Sequence, residues 1–69
     1  MTVDPKALRQ ARLNFGLTRE QAAEAVGVDA KTLAAWEQGE KTPRGRHLVW
    51  LAGLYGRHID DFAAKGEPQ

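Results

Sequence analysis

The sequence contains no cysteine and no long apolar run, and both absences exclude classes of protein. Without cysteine, no disulfide can stabilise the fold and no cysteine-ligated zinc site can form. The histidines, His47 and His58, lie in separate segments without metal-ligand spacing, so neither a metal nor a cofactor is expected. No apolar stretch approaches the ~18 residues of a membrane span, and the first residues do not form a secretion signal. We therefore expect a soluble, cytoplasmic protein that does not bind a membrane.

Groups typical of enzymes and of β-sheets are also scarce. The sequence has no nucleophile–base set, no glycine-rich phosphate loop and no carboxylate pair in a plausible cleft, so no catalytic residue is predicted. The adjacent Asp60 and Asp61 lie near a predicted helix start, where the helix dipole favours negative charge. β-branched residues are sparse and no apolar/polar alternation is sustained, which argues against strands.

The chain has 69 residues, which is room for one hydrophobic core. We expect residues 1–69 to form a single domain with an ordered core over about residues 4–64 and a frayed tail over residues 65–69. The net charge is only +1. However, the segment from Lys41 to Arg57 carries four basic side chains and no acidic one. For a binding surface, this uneven distribution matters more than the sum.

Capping residues and apolar periodicity predict a compact all-α bundle of five helices, over about residues 5–15, 19–26, 30–38, 44–55 and 59–64. Asp4, Thr18 and Asp29 are the predicted N-caps of the first three, and Thr18 forms a capping box with Gln21. Spacings of three and four predict these buried positions: Leu8, Ala11 and Phe15; Ala22, Ala25 and Val26; Leu33 and Trp36; Leu48, Leu51, Ala52 and Tyr55; Ile59 and Phe62.

Residues 19–38 predict a helix-turn-helix, in which two short helices cross steeply through a tight turn. Gly27 can adopt the positive φ that the turn needs. Ala23 is small enough to let the second helix approach the first. Trp36 is predicted to lie in the core between them, because it follows Leu33 at helical spacing.

A longer run resembles the phage repressor and Cro type of helix-turn-helix domain, also called the XRE family. The run covers about residues 6–63 and comprises Leu8-Arg9, Arg12, Gly16-Leu17-Thr18, Ala23, Gly27-Val28, Leu33, Trp36-Glu37, Gly39, Pro43, Leu48, Leu51-Ala52 and Gly56. The resemblance implies a lambda-repressor-like fold whose third helix lies in the major groove of double-stranded DNA. Phage regulators, restriction–modification controllers and antitoxins share this domain, and the sequence does not separate them.

The resemblance also implies which residues contact DNA: Ala30, Lys31, Thr32 and Ala35 on the third helix, Arg19 at the start of the second, and Lys41, Arg44 and Arg46 after the third. Lys31 can donate to guanine or to a phosphate, and Thr32 offers a hydroxyl or a methyl group. The two alanines offer only small apolar contacts, where other family members place Gln, Asn or Arg. We therefore hypothesise that the loop arginines and DNA shape supply the missing discrimination.

Three further positions have roles other than direct contact with DNA. In the family, an arginine of the first helix pairs with a glutamate at the end of the third, which predicts an Arg12–Glu37 pair. Trp50 falls off the apolar stripe of the fourth helix and is a candidate interface residue, since an exposed tryptophan is a good interface anchor.

Two functions remain open from the sequence alone. The first is a transcriptional repressor that binds a palindromic operator as a homodimer. The alternative is a protein-interaction module, or an antitoxin-type subunit with a protein partner, that keeps the fold. The near-neutral charge, the alanine-rich third helix and Trp50 favour this alternative, and the loop arginines favour the first.

Overall fold

A computed structural model describes residues 2–64 as a bundle of helices. The α-helices are α1 (Pro5–Phe15), α2 (Arg19–Val26), α3 (Ala30–Gln38) and α4 (Gly45–Tyr55), and a 3₁₀ turn follows at Ile59–Phe62. This architecture confirms the predicted all-α class. The tail expected to fray, residues 65–69, lies outside the described residues. Between residues 2 and 64, no helix is both long and apolar enough to cross a membrane.

The predicted fifth helix is a single 3₁₀ turn, because the chain leaves the helical path at Ala63 to pair with Val3. These two residues form an isolated antiparallel β-bridge. The Asp4 amide donates to the Phe62 carbonyl at 2.7 Å, and the Ala64 amide donates to the Thr2 carbonyl at 2.8 Å. The two ends of the described chain are therefore held side by side.

The helix starts show two different kinds of cap. The Asp4 carboxylate accepts the Lys6 amide at 3.0 Å, and the capping box between Thr18 and Gln21 is complete, with bonds of 2.9 and 3.1 Å. Asp29 occupies the N-cap position of α3, but its side chain accepts no capping hydrogen bond. The prediction for Asp29 was thus right in position and wrong in mechanism. Arg44 precedes α4, which begins one residue later than predicted.

Two glycines are required by the backbone around α3. Gly27 ends α2 with a φ of 76°, a left-handed conformation that side chains disfavour. Gly39 ends α3 with a φ of 82°, and a Cβ at this position would lie 3.2 Å from Cγ of Pro5. Gly39 therefore both turns the chain and lets the start of α1 lie against the end of α3.

Within the bundle, α3 packs against both α1 and α2. The core is built mostly from the predicted apolar stripes. The buried apolar residues of the core are Leu8, Ala11, Ala22, Ala23, Val26, Leu33, Trp36, Leu48, Leu51, Ala52, Tyr55 and Phe62. Trp36 is only 4% exposed.

Two predicted core residues are exposed, and a third, Ile59, is only partly buried. Phe15 is 54% exposed, whereas Leu17, after the turn, packs against the core. Ala25 is exposed, because α2 packs through the face that contains Ala22, Ala23 and Val26. The third buried residue of α1, after Leu8 and Ala11, is a charged one, Arg12.

Arg12 forms a two-bond ion pair with Glu37 inside the bundle. Its Nε and Nη2 atoms donate to the two carboxylate oxygens of Glu37 at 2.7 and 3.0 Å, and Nη1 donates to the Leu17 carbonyl at 2.8 Å. Both side chains are almost fully buried. Hydrogen bonding to Glu37 raises the pKa of Arg12 above its usual range. The pair joins α1 to the last turn of α3.

We expect Arg12→Ala to destabilise the fold severely. Removing one partner of a buried pair costs about 3–5 kcal/mol, and a core of this size supplies only about 3–5 kcal/mol in total. The variant should be largely unfolded at 25 °C, as measured by circular dichroism with urea titration. Arg9→Ala, on the exposed side of the same helix, is the matched control and should unfold like the parent. An unchanged melting temperature for Arg12→Ala would refute the role of the pair.

Tyr55 makes the stability of the fold depend on pH in the alkaline range. Burial, reinforced by the charge of Glu37, raises the pKa of Tyr55 to about 12, against about 10 in an unfolded chain. Between these values the unfolded chain loses its proton first, so stability falls as the pH rises from about 10 to about 12, by about 2–3 kcal/mol.

We expect Tyr55→Phe to remove this loss of stability at high pH. The Tyr55 hydroxyl has no hydrogen-bond partner among the described residues, so the variant should be at least as stable as the parent at neutral pH. Urea unfolding at about pH 9 and about pH 11.5 measures the difference, with the parent as reference for the other titrating groups. Parallel pH profiles for the two proteins would contradict the expectation.

Candidate nucleic-acid interface

The side of α3 that faces away from the core carries the candidate recognition residues. Leu33, Trp36 and Glu37 are the buried residues of this helix. With about 100° between successive residues, the opposite side is formed by Lys31, Ala35 and Gln38. Lys31 and Gln38 are exposed, and Ala35 is half-buried. Of the four predicted contacts on α3, Lys31 and Ala35 thus lie on the side opposite the core, with Lys31 exposed and Ala35 half-buried.

The other two predicted contacts on α3 lie at the margins of this side. Ala30 is half-buried and packs against the core cluster. Thr32 is also half-buried and lies between the outward and the core sides. Ala30 is the first residue of the helix.

The end of α3 is closed by backbone bonds that position the following loop. The carbonyl of Ala35 accepts the amides of Gly39, Glu40 and Lys41, the last two at 2.9 and 3.3 Å. Lys41 is therefore held next to the outward side of α3 and is exposed.

The start of α2 combines free amides with positive charge. The capping box occupies the amides of Thr18 and Gln21, which leaves those of Arg19 and Glu20 without an intrahelical acceptor. A shallow depression here is lined by Arg12, Thr18, Arg19 and Glu20. Free amides at a helix N-terminus favour an anion, whereas the Glu20 carboxylate opposes it.

Arg19 is linked to α3 through the buried carboxylate of Glu37. Its Nε lies 3.6 Å from Oε1 of Glu37, while 45% of its side chain stays exposed. One carboxylate therefore contacts two guanidinium groups, and the local sum of these three charges is positive. Glu37 orients Arg19 without neutralising the cluster.

The other two cations predicted to contact DNA lie on the segment that leads into α4. Arg44 precedes the helix and Arg46 lies in its first turn, and both are exposed. Within residues 2–64, neither of them, nor Lys31 or Lys41, forms an ion pair. These four charges are therefore free to meet an anionic partner. Arg46 also lies one turn before Trp50, so its side chain borders a second surface.

Two residues near the interface were not predicted. Gln38 follows Lys31 and Ala35 at helical spacings of seven and three, and this spacing was the available signal. His47 is half-buried and lies between two tryptophans. Its ring centroid lies 5.1 Å from that of Trp36 and 5.5 Å from that of Trp50. His47 thus connects the core of α3 to the exposed side of α4.

Trp50 lies at the edge of an apolar groove between α4 and the last turn of α2. Trp50 and Val49 are 49% and 52% exposed. Gly53, Leu54, Ala25 and Glu24 also line this groove. Unlike the surface around α3, this surface is dominated by apolar groups. Among residues 2–64, no group of acidic, histidine or cysteine side chains is arranged to hold a metal ion.

Comparison with known sequences gives matches over most of the chain. The Helix-turn-helix family matches residues 8–62. An uncharacterized HTH-type transcriptional regulator of Methanothermobacter thermautotrophicus is 39% identical over 56 residues, which are 80% of this chain and 81% of that protein. The cryptic phage CTXphi transcriptional repressor RstR of Vibrio cholerae is 30% identical and covers 87% of this chain. The match spans 54% of RstR, about half of its length.

Comparison with solved structures gives the fold. The P22 c2 repressor protein, solved in complex with a synthetic operator, has a TM-score of 0.83 at 22% identity and covers 97% of this chain and 100% of its own. Hydroxypropylphosphonic acid epoxidase from S. wedmorenis has a TM-score of 0.82 at 23% identity, covering 91% of this chain but only 34% of the epoxidase. At these identities the likeness concerns the arrangement of the helices alone, since one fold serves several functions.

Proposed function

The chain belongs to the helix-turn-helix family of the phage repressor and Cro type, and from this we propose that it binds specific double-stranded DNA and regulates transcription. In this proposal α3 lies in the major groove and the start of α2 lies across the phosphate backbone. In the same proposal, residues 1–69 act as one domain in the cytoplasm. No catalytic step and no cofactor is part of the proposal.

The observation that carries the proposal is the set of exposed cations around the outward side of α3. Within residues 2–64, Lys31 and Lys41 form no ion pair, and Arg19 shares the carboxylate of Glu37 with Arg12. Lys31 projects from this side, Lys41 is held beside it by the Ala35 carbonyl, and Arg19 is oriented from α2 by Glu37. Lysine and arginine side chains that neutralise phosphates provide most of the affinity of a protein for DNA. Their arrangement therefore explains how a protein with a net charge of only +1 binds a polyanion.

The predicted contacts divide into two groups by what they do. Arg19, Lys41, Arg44 and Arg46 contact phosphates or the minor groove and set the position of the protein on the duplex. Ala30, Lys31, Thr32 and Ala35 meet base edges, because in this motif the N-terminal residues of the recognition helix contact the bases.

We further propose that the protein is a repressor that binds a palindromic operator as a homodimer. A two-fold dimer presents two copies of α3 and matches an operator with inverted half-sites. The groove beside Trp50 is the proposed contact between the two copies, since Val49 and Trp50 expose more apolar surface than the rest of α4 does.

The first test is selection of DNA sequences from random duplexes, followed by a salt titration of the selected DNA. We expect enrichment of a palindrome whose affinity falls steeply as salt rises. Arg19→Ala should weaken binding to all DNA sequences by the same factor. It should also reduce the slope of log affinity against log salt by about one. The matched control is Lys6→Ala, because Lys6 lines a different surface, between α1 and the 3₁₀ turn.

Variants of the loop test how the sequence is discriminated. If the loop arginines contribute discrimination, Arg44→Ala and Arg46→Ala should weaken binding to the selected sequence more than binding to random DNA. Equal weakening for all sequences would show that they contact only the backbone. Absence of any enrichment in the selection would contradict the proposed function itself.

The alternative function is a protein-interaction module or antitoxin-type subunit that uses the same fold. The specific observation in its favour is the apolar groove beside Trp50, which is separate from the cationic surface. For an interaction module, selection from random DNA fails, whereas an antitoxin-type subunit still selects DNA. In both cases a protein other than a second copy binds at Trp50.

Sedimentation equilibrium of the parent and of Trp50→Glu tests the proposed dimer contact. We expect the parent to be a dimer and Trp50→Glu to be a monomer with unchanged helix content, because an unpaired charge in an apolar interface is costly. Leu13→Glu is the matched control, since Leu13 is similarly exposed but lies on α1. A dimer that persists in Trp50→Glu, or a parent dimer in which Trp50 stays open to acrylamide quenching, would place the contact elsewhere.

A further inference from the structure

The base-reading half of α3 has little hydrogen-bonding capacity. From Ala30 to Ala35, the exposed polar side chain is Lys31, and Thr32 is half-buried. Leu33 belongs to the core. The remaining side chains are the methyl groups of Ala30, Ala34 and Ala35, all half-buried and so in part open to solvent. Apart from Lys31 and Thr32, this half of the helix can offer the DNA only methyl groups.

An alanine methyl group can distinguish bases because it cannot form a hydrogen bond with a polar base edge. In the major groove, adenine, guanine and cytosine present hydrogen-bonding groups, whereas thymine also presents a C5 methyl group. A methyl group placed against a polar base edge removes water without replacing its hydrogen bond, which is unfavourable. Placed against the C5 methyl group, it buries apolar surface on both partners. Apolar contact with thymine is therefore the match that this surface favours.

We propose that α3 recognises C5 methyl groups of pyrimidines, beside a guanine that Lys31 contacts. This inference rests on the proposed DNA binding and names the chemical feature that the same site selects. Thymine supplies the methyl group in ordinary DNA, and 5-methylcytosine carries the same group.

The helix geometry predicts where the methyl groups lie relative to the guanine. Lys31 and Ala35 are four residues apart on the same side, which is about 6 Å along the helix axis. Successive bases of one strand are about 3.4 Å apart. The thymine contacted by Ala35 should thus lie about two base pairs from the guanine contacted by Lys31. Short side chains also let the backbone of α3 come closer to the groove floor than longer ones would.

Parallel selections from two random duplex libraries test the inference, and they do not require the operator sequence to be known. The libraries differ only in containing thymine or uracil, which lacks the C5 methyl group. We expect the thymine library to enrich thymines at fixed distances from a guanine, and the uracil library to show no preference at those positions.

Measured affinities then give the size of the effect. In the selected duplex, each replacement of a contacted thymine by uracil should weaken binding about three- to fivefold, as for loss of one buried methyl group. Where cytosine is placed at such a position, its C5 methylation should strengthen binding by a similar factor. Uracil at positions outside the half-sites is the matched control and should have no effect.

The outcomes separate this inference from the proposed function. If both libraries enrich the same sequence equally, specific DNA binding stands and methyl recognition is wrong. If neither library enriches any sequence, both proposals fall.

A variant tests whether Ala35 makes the contact. Ala35→Gln introduces an amide that can bind adenine, so it should select adenine at that position from both libraries. Ala35→Ser, closer in size to alanine, serves if the glutamine variant does not fold, and it should reduce the difference between thymine and uracil. Gln10→Ala, on the exposed side of α1, should behave as the parent. An unchanged thymine preference in both Ala35 variants would overturn the assignment.

Discussion

The ion pair between Arg12 and Glu37 organises both the bundle and its cationic surface. A buried charge is tolerated only when it is paired and hydrogen-bonded, and here every nitrogen of the Arg12 guanidinium donates to a carboxylate or a carbonyl oxygen. The pair fixes α1 against the end of α3, and the same carboxylate orients Arg19 at the start of α2. Three helices are thereby positioned by one acidic side chain. The charge that secures the fold and the charge that faces an anionic partner belong to one connected group.

Much of this fold follows from local rules that act within a few residues. The capping box at Thr18, the proline at position 5 and the left-handed glycines each determine a helix end through bonds to near neighbours, so their effect is readable in the sequence. The errors arise where distant contacts decide. Phe15 lies on the apolar stripe of α1 but is exposed, whereas Leu17, after the turn, packs against the core. The 3₁₀ turn at Ile59–Phe62 is short because Ala63 pairs with a residue near the other end of the chain.

For the candidate site, the sequence predicts which residues share a side of α3 better than it predicts their contacts with other helices. Helical spacing places Lys31 and Ala35 on the outward side of α3, and the same spacing would have identified Gln38. The contact between Arg19 and Glu37 depends on how α2 and α3 cross, which no local pattern specifies. The position of His47 between Trp36 and Trp50 likewise requires α3 and α4 to be packed first. Contacts within one helix are thus accessible from sequence, and contacts between helices are not.

The bridge between Val3 and Ala63 affects how the bundle opens. Helical bundles usually fray from their ends, because terminal residues have few long-range partners. Here the amide of Asp4, the N-cap of α1, is bonded to the carbonyl of Phe62, whose side chain is fully buried. Residues 2–4 cannot detach without releasing the segment that anchors Phe62 in the core. The ends of the described chain therefore open together with the segment that anchors Phe62, rather than fraying independently of it. This closure also pairs residues far apart in sequence, so its entropy cost makes it a late event in folding.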